Sequence, residues 1–326
     1  MSHRYFRMSG LLGMAVAACA LAPVLMTRCA DAQDALSVPP GLPDWTFNIP
    51  DKVQPAAVKI AGVIRAPGSA KEYDAENLTG SAAPPDWFPN EHPAAPKIVT
   101  GGQGVRFACG SCHLMSGQGH SESADLAGLP ASYIIRQMAD YKSDKRKDNE
   151  RMGPIAKAVS DEDVRAAAEY FASLKPRVFV RVIETATAPK TFIATAGRHR
   201  QLLPDGGTEP IGQRIVEVPD DPFRTEIRDP HSGFTAWVPP GSIAQGRHLA
   251  LRGNCTGCHG KALKGKTVQG KGEVPRLAGQ QPLYIARQLF DFRYGSRDGD
   301  AGRFAAKLSD DDIIALAAYL GTLPPE

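Results

Sequence analysis

The sequence has few cysteines, little net charge and a single long apolar run, and each shortage excludes a class of protein. Six cysteines in 326 residues are too few for a disulfide scaffold. A formal net charge of +3 lacks the large basic excess expected of a nucleic-acid binder. With 42% hydrophobic and 22% charged side chains, the chain is neither disordered nor a polytopic membrane protein. Its 32 glycines and 27 prolines show no repeat period, which favours long ordered connections over regular sheet.

The apolar run lies at the N-terminus and predicts export. A short basic start precedes the apolar stretch 11–26, and small residues follow up to Ala32. This order predicts a secretory signal peptide over residues 1–32, with cleavage after Ala32. A retained membrane anchor is one alternative, because about 16 apolar residues are close to a spanning length. Acylation of Cys19 is another, although the apolar chain that follows argues against it. The expected location is the periplasm, with no stable membrane span after cleavage.

The remaining chain contains an internal repeat. Leu-Ala-Gly followed by Tyr, Ile, Arg, Gln and Asp at fixed spacings begins at Leu126 and recurs 151 residues later at Leu277. The pattern Ser-Asp-x-Asp, followed by a tyrosine, begins at Ser160 and recurs 149 residues later at Ser309. The chain therefore contains two copies of one unit.

Each copy is predicted to be helical. Apolar side chains at helical spacing predict a helix through Ile134 and Tyr141 and another after Ser160. A further helix is expected ahead of each copy, ending in a cysteine pair. Because three short helices in about 80 residues enclose little apolar core, something large and apolar should complete each unit. The expected capping boxes pair Ser160 with Asp163 and Ser309 with Asp312, and the expected leading helices cover 103–112 and 242–258.

Four of the six cysteines form two identical motifs. Cys109-Gly-Ser-Cys112-His113 and Cys255-Thr-Gly-Cys258-His259 both have the pattern C-x-x-C-H. Two thiols at this spacing can each form a thioether bond with one haem, and the following histidine is held under its iron. A zinc site would need the two distant pairs to meet, and a redox dithiol should follow a strand. Two covalently bound haem c groups are therefore predicted.

The motifs, followed by Leu-Ala-Gly, a tyrosine, a glutamine and a last helix, resemble the class I cytochromes c, and their duplication resembles the dihaem cytochrome c4 type. The resemblance implies a mainly α fold with two class I cytochrome c helical domains joined by an irregular, short-strand segment. The stretch Asp86-Trp87-Phe88-Pro89 with His92-Pro93 resembles a set of exported dihaem cytochromes. The expected organisation is a signal peptide at 1–32, a proline-rich N-terminal extension at 33–96, cytochrome c domain 1 at 97–176, a connecting segment at 177–240 and cytochrome c domain 2 at 241–326.

In this family a methionine before the last helix provides the sixth iron ligand, and by position Met152 matches it in the first copy. Met115 and Met138 are poorer candidates. Ala301, or Arg303 in another register, occupies the position in the second copy, and no methionine follows Met152. The second iron must use another ligand or remain open or water-bound, and we expect it to have the lower potential. The alternative ligands are His248, His231, His199, Lys307 and Tyr294.

The predicted function is electron transfer in a respiratory or dehydrogenase-linked chain. The resemblance implies redox partner proteins: an exported dehydrogenase or quinol-oxidising complex on one side and a terminal oxidase on the other. The alternative is a haem enzyme or small-ligand binder, peroxidase-like, that uses the second haem. Arg293, Arg297 or Arg303 would then provide a cation on its distal side.

Overall fold

A computed structural model describes residues 42–55, 59–78, 80, 82–102, 104–195 and 199–326. The predicted signal peptide, its cleavage site and Cys19 lie outside these residues. Among the described residues, no helix is long and apolar enough to cross a membrane.

The N-terminal extension is mostly irregular, as expected of proline-rich chain. It contains a 3-10 turn at Asp44–Thr46, the antiparallel strands β1 (Val63–Ile64) and β2 (Tyr73–Asp74), and helix α1 (Ala75–Leu78). It contacts the first helical unit, for example through the hydrogen bond from Asn48 to Ser121 at 3.2 Å, but Trp87 also packs with the connecting segment and Trp45 lies edge-on to Phe290 of the second unit, with ring centroids 6.0 Å apart.

The first helical unit consists of α2 (Lys97–Thr100), α3 (Gly110–His113), α4 (Ala131–Lys142), α5 (Met152–Ala158) and α6 (Asp161–Ser173). The predicted helices through Ile134 and after Ser160 are α4 and α6. Their apolar faces meet in a core that includes Ile134 and Phe171. The predicted leading helix over 103–112 is wrong. Gly104 has a φ of 85°, so the backbone leaves the helical conformation there, and α3 begins only at Gly110.

The connecting segment forms short strands, as predicted. They are β3 (Val180–Glu184), β4 (Thr187–Pro189), β5 (Thr191–Ile193), β6 (Arg200–Leu202), β7 (Thr208–Pro210), β8 (Val216–Pro219) and, after helix α7 (Pro222–Glu226), β9 (Phe234–Val238). β9 is central in a three-stranded sheet, parallel to β3 and antiparallel to β8. The strands β4 and β7 pair with each other, and so do β5 and β6.

The second helical unit consists of α8 (Ser242–Arg252), α9 (Cys255–His259), the hairpin of β10 (Lys266–Val268) and β11 (Gly272–Val274), α10 (Pro282–Tyr294), α11 (Gly302–Ala305) and α12 (Asp310–Thr322). The expected leading helix is present but interrupted, because Asn254 adopts a left-handed conformation between α8 and α9. The close crossing of α8 over α12 requires Gly246, since a Cβ there would lie 1.9 Å from the carbonyl oxygen of Ala315. The core of this unit continues into the three-stranded sheet.

The two predicted capping boxes differ. Ser309 and Asp312 form the full box: the serine hydroxyl accepts from the Asp312 N–H at 3.1 Å, and the aspartate accepts from the Ser309 N–H at 3.0 Å. In the first unit the Ser160 hydroxyl accepts from the Asp163 N–H, but the carboxylate accepts from the hydroxyl instead of the Ser160 N–H. Only half of the predicted box is therefore present at α6.

Candidate haem sites

Each cysteine motif occupies one short helical turn. His113 donates its backbone N–H to the carbonyl of Cys109 at 3.0 Å, which brings the first and last residues of the motif together. The four motif cysteines are half-buried free thiols. Burial raises the pKa of Cys109 to about 12 and also raises that of Cys255. A redox-active dithiol needs a lowered pKa, so neither pair has the environment of one.

The zinc alternative also lacks support. The described residues contain no group of three or more His, Cys, Asp and Glu side chains that could hold a metal ion. A structural zinc ion usually needs four such ligands. The two motifs therefore do not meet to form one zinc site in the described part of the chain.

The two motif histidines have the same hydrogen bond. Nδ1 of His113 lies 2.9 Å from the carbonyl oxygen of Ala124, and Nδ1 of His259 lies 2.8 Å from that of Pro275. A carbonyl only accepts, so Nδ1 carries the proton and Nε2 has the free lone pair in both rings. Burial lowers the pKa of His113 to about 4 and also lowers that of His259, which keeps both rings neutral at pH 7. A neutral imidazole fixed by its other nitrogen is suited to bind a metal.

Buried polar atoms near the junction of the two units lack partners. Both side-chain polar atoms of Gln118 and of Gln281, Oδ2 of Asp125 and Nε of Arg276 have no hydrogen-bond partner among the described residues. Leaving one such atom unpaired costs about 1–3 kcal/mol of stability. Six of them in one region therefore indicate a polar group that is not part of the polypeptide. A haem is mainly apolar but has two carboxylates. Its carboxylates could accept from the three unpaired nitrogens, Nε2 of Gln118, Nε2 of Gln281 and Nε of Arg276, and its ring would supply the apolar core that each small unit needs.

A pair of buried arginines links the two units, and sequence reasoning assigned this role to neither. Arg146 donates to the side-chain oxygens of Gln137 at 2.9 Å and Gln288 at 2.6 Å. Arg297 donates to the same two oxygens, at 2.6 Å and 2.7 Å. Arg146 also donates to the hydroxyl of Tyr284 at 3.1 Å. The repeat offset of 151 residues relates the two arginines and the two glutamines, and extending the repeat comparison would have indicated the pair.

The positive charge of this arginine pair lowers the pKa of a neighbouring tyrosine. Burial alone would raise the pKa of Tyr284, but the charges of Arg146 and Arg297 outweigh burial and lower it. Arg297 also donates to the hydroxyl of Tyr133 at 3.0 Å, which mirrors the bond between Arg146 and Tyr284. The proposed role of Arg297 as a distal cation is therefore not supported, because its donors serve the junction of the units.

Met152 is the first residue of α5, although we expected it in a loop. Pro154 stands in the first turn of this helix, where its missing N–H has no helical partner to lose. Met152 is half-buried. Met115, in contrast, is a core residue with 6% exposure, which accounts for it without an iron.

The five alternative ligands for the second iron lie beside the first motif, in an ion pair or at the surface. His199 packs against His120 and Phe234, beside the first cysteine motif. His231 pairs with Glu91 at 2.9 Å. The remaining three are accessible side chains: His248 and Lys307 are exposed and Tyr294 is 48% exposed. Ala301 precedes α11 and has no atom that could bind iron, and Arg303 is exposed.

Comparison with known proteins gives consistent matches. The family model "Cytochrome c" matches residues 99–175 and 243–324. Cytochrome c4 of Pseudomonas aeruginosa is 31% identical over 225 residues, covering 67% of this chain and 85% of the relative. A thiosulfate dehydrogenase electron acceptor of Stutzerimonas stutzeri is 29% identical and covers 70% and 85%. A crystal structure of reduced recombinant cytochrome c4 from Pseudomonas stutzeri is 26% identical, covers 66% of this chain and 93% of that chain, and has a TM-score of 0.43.

Two helical units, each with its own C-x-x-C-H motif, define a dihaem c-type protein. The chain belongs to the cytochrome c family, and its relatives include cytochromes c4. The predictions of two cytochrome c helical domains, two haem c groups and a cytochrome c4-like electron carrier are confirmed.

Proposed function

We propose that this protein carries electrons in the periplasm, from an exported dehydrogenase or quinol-oxidising complex towards a terminal oxidase. The cysteines of the two motifs hold the haems through thioether bonds, and His113 and His259 each provide an iron ligand. The identical Nδ1 hydrogen bonds of the two histidines are the observation that carries this assignment. The name of the Stutzerimonas stutzeri relative, a thiosulfate dehydrogenase electron acceptor, supports a dehydrogenase as the donor.

Each haem supplies a site that gains and loses one electron. The residues of the chain set the conditions for this change. The carbonyls of Ala124 and Pro275 fix the orientation of the two imidazoles. Arg146 and Arg297 place two buried positive charges at the junction of the units. Fixed ligands and fixed charges limit the reorganisation that accompanies electron transfer.

In this proposal the two sites differ in their sixth ligand. Met152 binds the first iron, whereas the second unit has Ala301 at the matching position. A thioether ligand raises the reduction potential, so Met152 would give the site of the first unit the higher potential. The ligands of the chain would then favour electron transfer from unit 2 to unit 1.

A spectroelectrochemical titration of the holoprotein tests this assignment. We expect two separate one-electron steps and a methionine–iron charge-transfer band equivalent to one haem. Met152→Ala should remove the band and lower only the higher potential. Met138→Ala, on the half-buried face of α4, is the matched control and should change neither. Two methionine bands, or a Met152→Ala protein with unchanged potentials, would contradict the proposal.

The second haem site could instead bind a small ligand such as carbon monoxide or peroxide. The absence of an iron-binding atom on Ala301 favours this second candidate function. The alternative protein ligands lie at the surface or pair with other residues. An open sixth position would bind carbon monoxide in the reduced state. We expect a spectral change equivalent to one haem on adding carbon monoxide; no change would show that both irons have two strong protein ligands.

A further inference from the structure

The surface around the second cysteine motif has an excess of positive charge. No acidic residue occurs between Asp229 and Glu273. The basic residues of this stretch are all exposed: Arg247, Arg252, Lys261, Lys264, Lys266 and Lys271. Of these, only Lys271 forms an ion pair within the described part of the chain, with Asp300 at 2.6 Å. The other cations therefore face solvent without a carboxylate partner there.

The fold places three of these cations directly beside the motif, in the chain that follows His259. The N–H of Gly265 donates to the carbonyl of His259 at 2.8 Å, which folds this chain back onto the motif. Lys261 and Lys264 stand on the turn, and Lys266 follows it as the first residue of β10. We call Lys261, Lys264 and Lys266 the basic surface. It adjoins the attachment point of the second haem, because only this turn separates it from the motif.

The next acidic residue of the chain points away from the basic surface. Glu273 pairs with Thr267 in the hairpin of β10 and β11, so its side chain lies on the face opposite that of Lys266. There it accepts from the hydroxyl of Ser132 in the first unit. The charge of Glu273 is therefore directed at the first unit and does not neutralise the basic surface.

Two further cations border the motif from another segment. Arg303 and Lys307 are exposed. The ring of Phe304, between them in the sequence, packs against Gly253, where a Cβ would lie 2.5 Å from it. Leu251, at the same end of α8, is 63% exposed. The second motif is therefore bordered by cations from two segments of the chain, with an exposed apolar side chain close by.

The first motif is covered on the corresponding side. Arg228 of the connecting segment donates from Nε to the carbonyl of Ser111 at 3.0 Å. Arg228 also donates to the carbonyls of Leu78 and Gly80 in the N-terminal extension, so both segments close over the motif. Ser111 is 8% exposed, whereas Gly257, at the same place in the second motif, is exposed. A partner protein can therefore reach the second motif more directly than the first.

We propose that the electron donor of this protein docks on the basic surface through an acidic surface of its own and delivers its electron to the second haem. Complementary charges speed the encounter of two proteins and orient it. One electron leaves the reduced donor, which is thereby oxidised, and reduces the second site from ferric to ferrous; no bond forms or breaks. This inference rests on the proposed function and adds the docking face and the charge of the donor. Entry at the second site agrees with the lower potential proposed for it.

Binding of a fluorescently labelled oligoglutamate peptide to the oxidised holoprotein, measured by anisotropy at low ionic strength, tests the charge of the partner. Saturable binding that weakens with added salt is expected. The variant Lys261→Glu, Lys264→Glu, Lys266→Glu reverses the basic surface, so its affinity should fall about tenfold or more. The control Lys97→Glu, Lys145→Glu, Lys175→Glu makes the same change in net charge at exposed positions of the first unit and should keep most of its affinity.

The rate of reduction gives a second readout. Iron(II)-EDTA is an anionic reductant and stands in for an acidic donor, whereas hexaammineruthenium(II) is cationic. Iron(II)-EDTA should reduce the reversed variant about threefold or more slowly than it reduces the control at low ionic strength. Hexaammineruthenium(II) should reduce the reversed variant no more slowly than the control.

Absence of peptide binding to the unmodified protein would overturn the inference, and this outcome does not depend on the folding of any variant. Equal peptide affinities or equal iron(II)-EDTA rates of the reversed variant and the control, with two haems in both by absorbance, would also overturn it. Binding to phosphatidylglycerol vesicles without binding to the peptide would assign the surface to a membrane and contradict the inference. A holoprotein that neither reductant reduces would instead overturn the proposed function.

Discussion

The buried arginine pair at the junction of the two helical units allows a worked prediction. Arg146 and Arg297 donate to the same two acceptors, the side-chain oxygens of Gln137 and Gln288. Replacing one arginine with methionine, which keeps most of the apolar stem, leaves each glutamine oxygen with one remaining donor. Replacing both arginines leaves the two glutamine oxygens without either arginine donor. The second replacement should therefore cost more than the first.

The expected magnitude follows from these contacts. Each arginine makes three hydrogen bonds to neutral partners, and a bond with a charged donor contributes about 1.5–3 kcal/mol. Removing a buried charge also removes its desolvation cost, which offsets part of the lost hydrogen-bond energy. Either single variant should therefore lose about 2–4 kcal/mol of unfolding free energy. The first replacement also relieves repulsion between the two guanidinium groups, whereas the second does not. The double variant should exceed the sum of the single variants by about 1–3 kcal/mol.

Urea denaturation of the four holoproteins, followed by far-ultraviolet circular dichroism and by haem absorbance, measures this coupling. The wild type, Arg146→Met, Arg297→Met and the double variant form one thermodynamic cycle. A double variant whose loss equals the sum within about 0.5 kcal/mol would refute the reasoning from shared acceptors. A loss smaller than the sum would also refute it, because the shared acceptors and the relief of repulsion both predict a larger loss in the double variant.

Three further predictions concern single positions. Ala301→Met gives the second unit a thioether, so the oxidised protein should show methionine–iron absorption equivalent to two haems, and the lower of the two reduction potentials should rise. An unchanged spectrum would show that residue 301 does not reach the second iron. Trp87→Phe removes the 2.7 Å bond from the indole N–H to a buried carbonyl of the connecting segment and should cost about 2–4 kcal/mol in urea denaturation; a loss under 1 kcal/mol would contradict this. The hydrogen bond to Asp86 raises the pKa of His92, so its stabilising effect is present at low pH and is lost as the pH rises through the raised pKa. His92→Gln should therefore remove the part of the fall in the urea midpoint that occurs as the pH rises above the ordinary pKa of histidine; an unchanged pH dependence would contradict this.

Local sequence patterns predicted the elements that depend on neighbouring residues. The C-x-x-C-H motifs, the helices α4, α6 and α12, and the full capping box at Ser309 depend on short spacings that the sequence contains. The leading helix over 103–112 was wrong because Gly104 adopts a positive φ, which a regular helix does not allow.

Contacts between distant parts of the chain could not be predicted in this way. The arginine junction depends on side chains from both units, and the cover of the first motif depends on Arg228, 117 positions beyond Ser111. The carbonyls that orient His113 and His259 lie 11 and 16 residues beyond them, in loops of different length. Only the folded chain identifies these acceptors. The same holds for His199, which had seemed available to the second iron and lies beside the first motif.

The covalent haem content of the purified protein is the measurement that tests this account most directly. Pyridine haemochromogen absorbance and intact mass, taken on the same purified sample, should give two haems per chain and no free thiol among the four motif cysteines. Changing both cysteines of one motif to alanine should remove one haem and leave the other. A colourless protein, or one with free thiols at either motif, would contradict the central claim that each helical unit folds around a covalently bound haem.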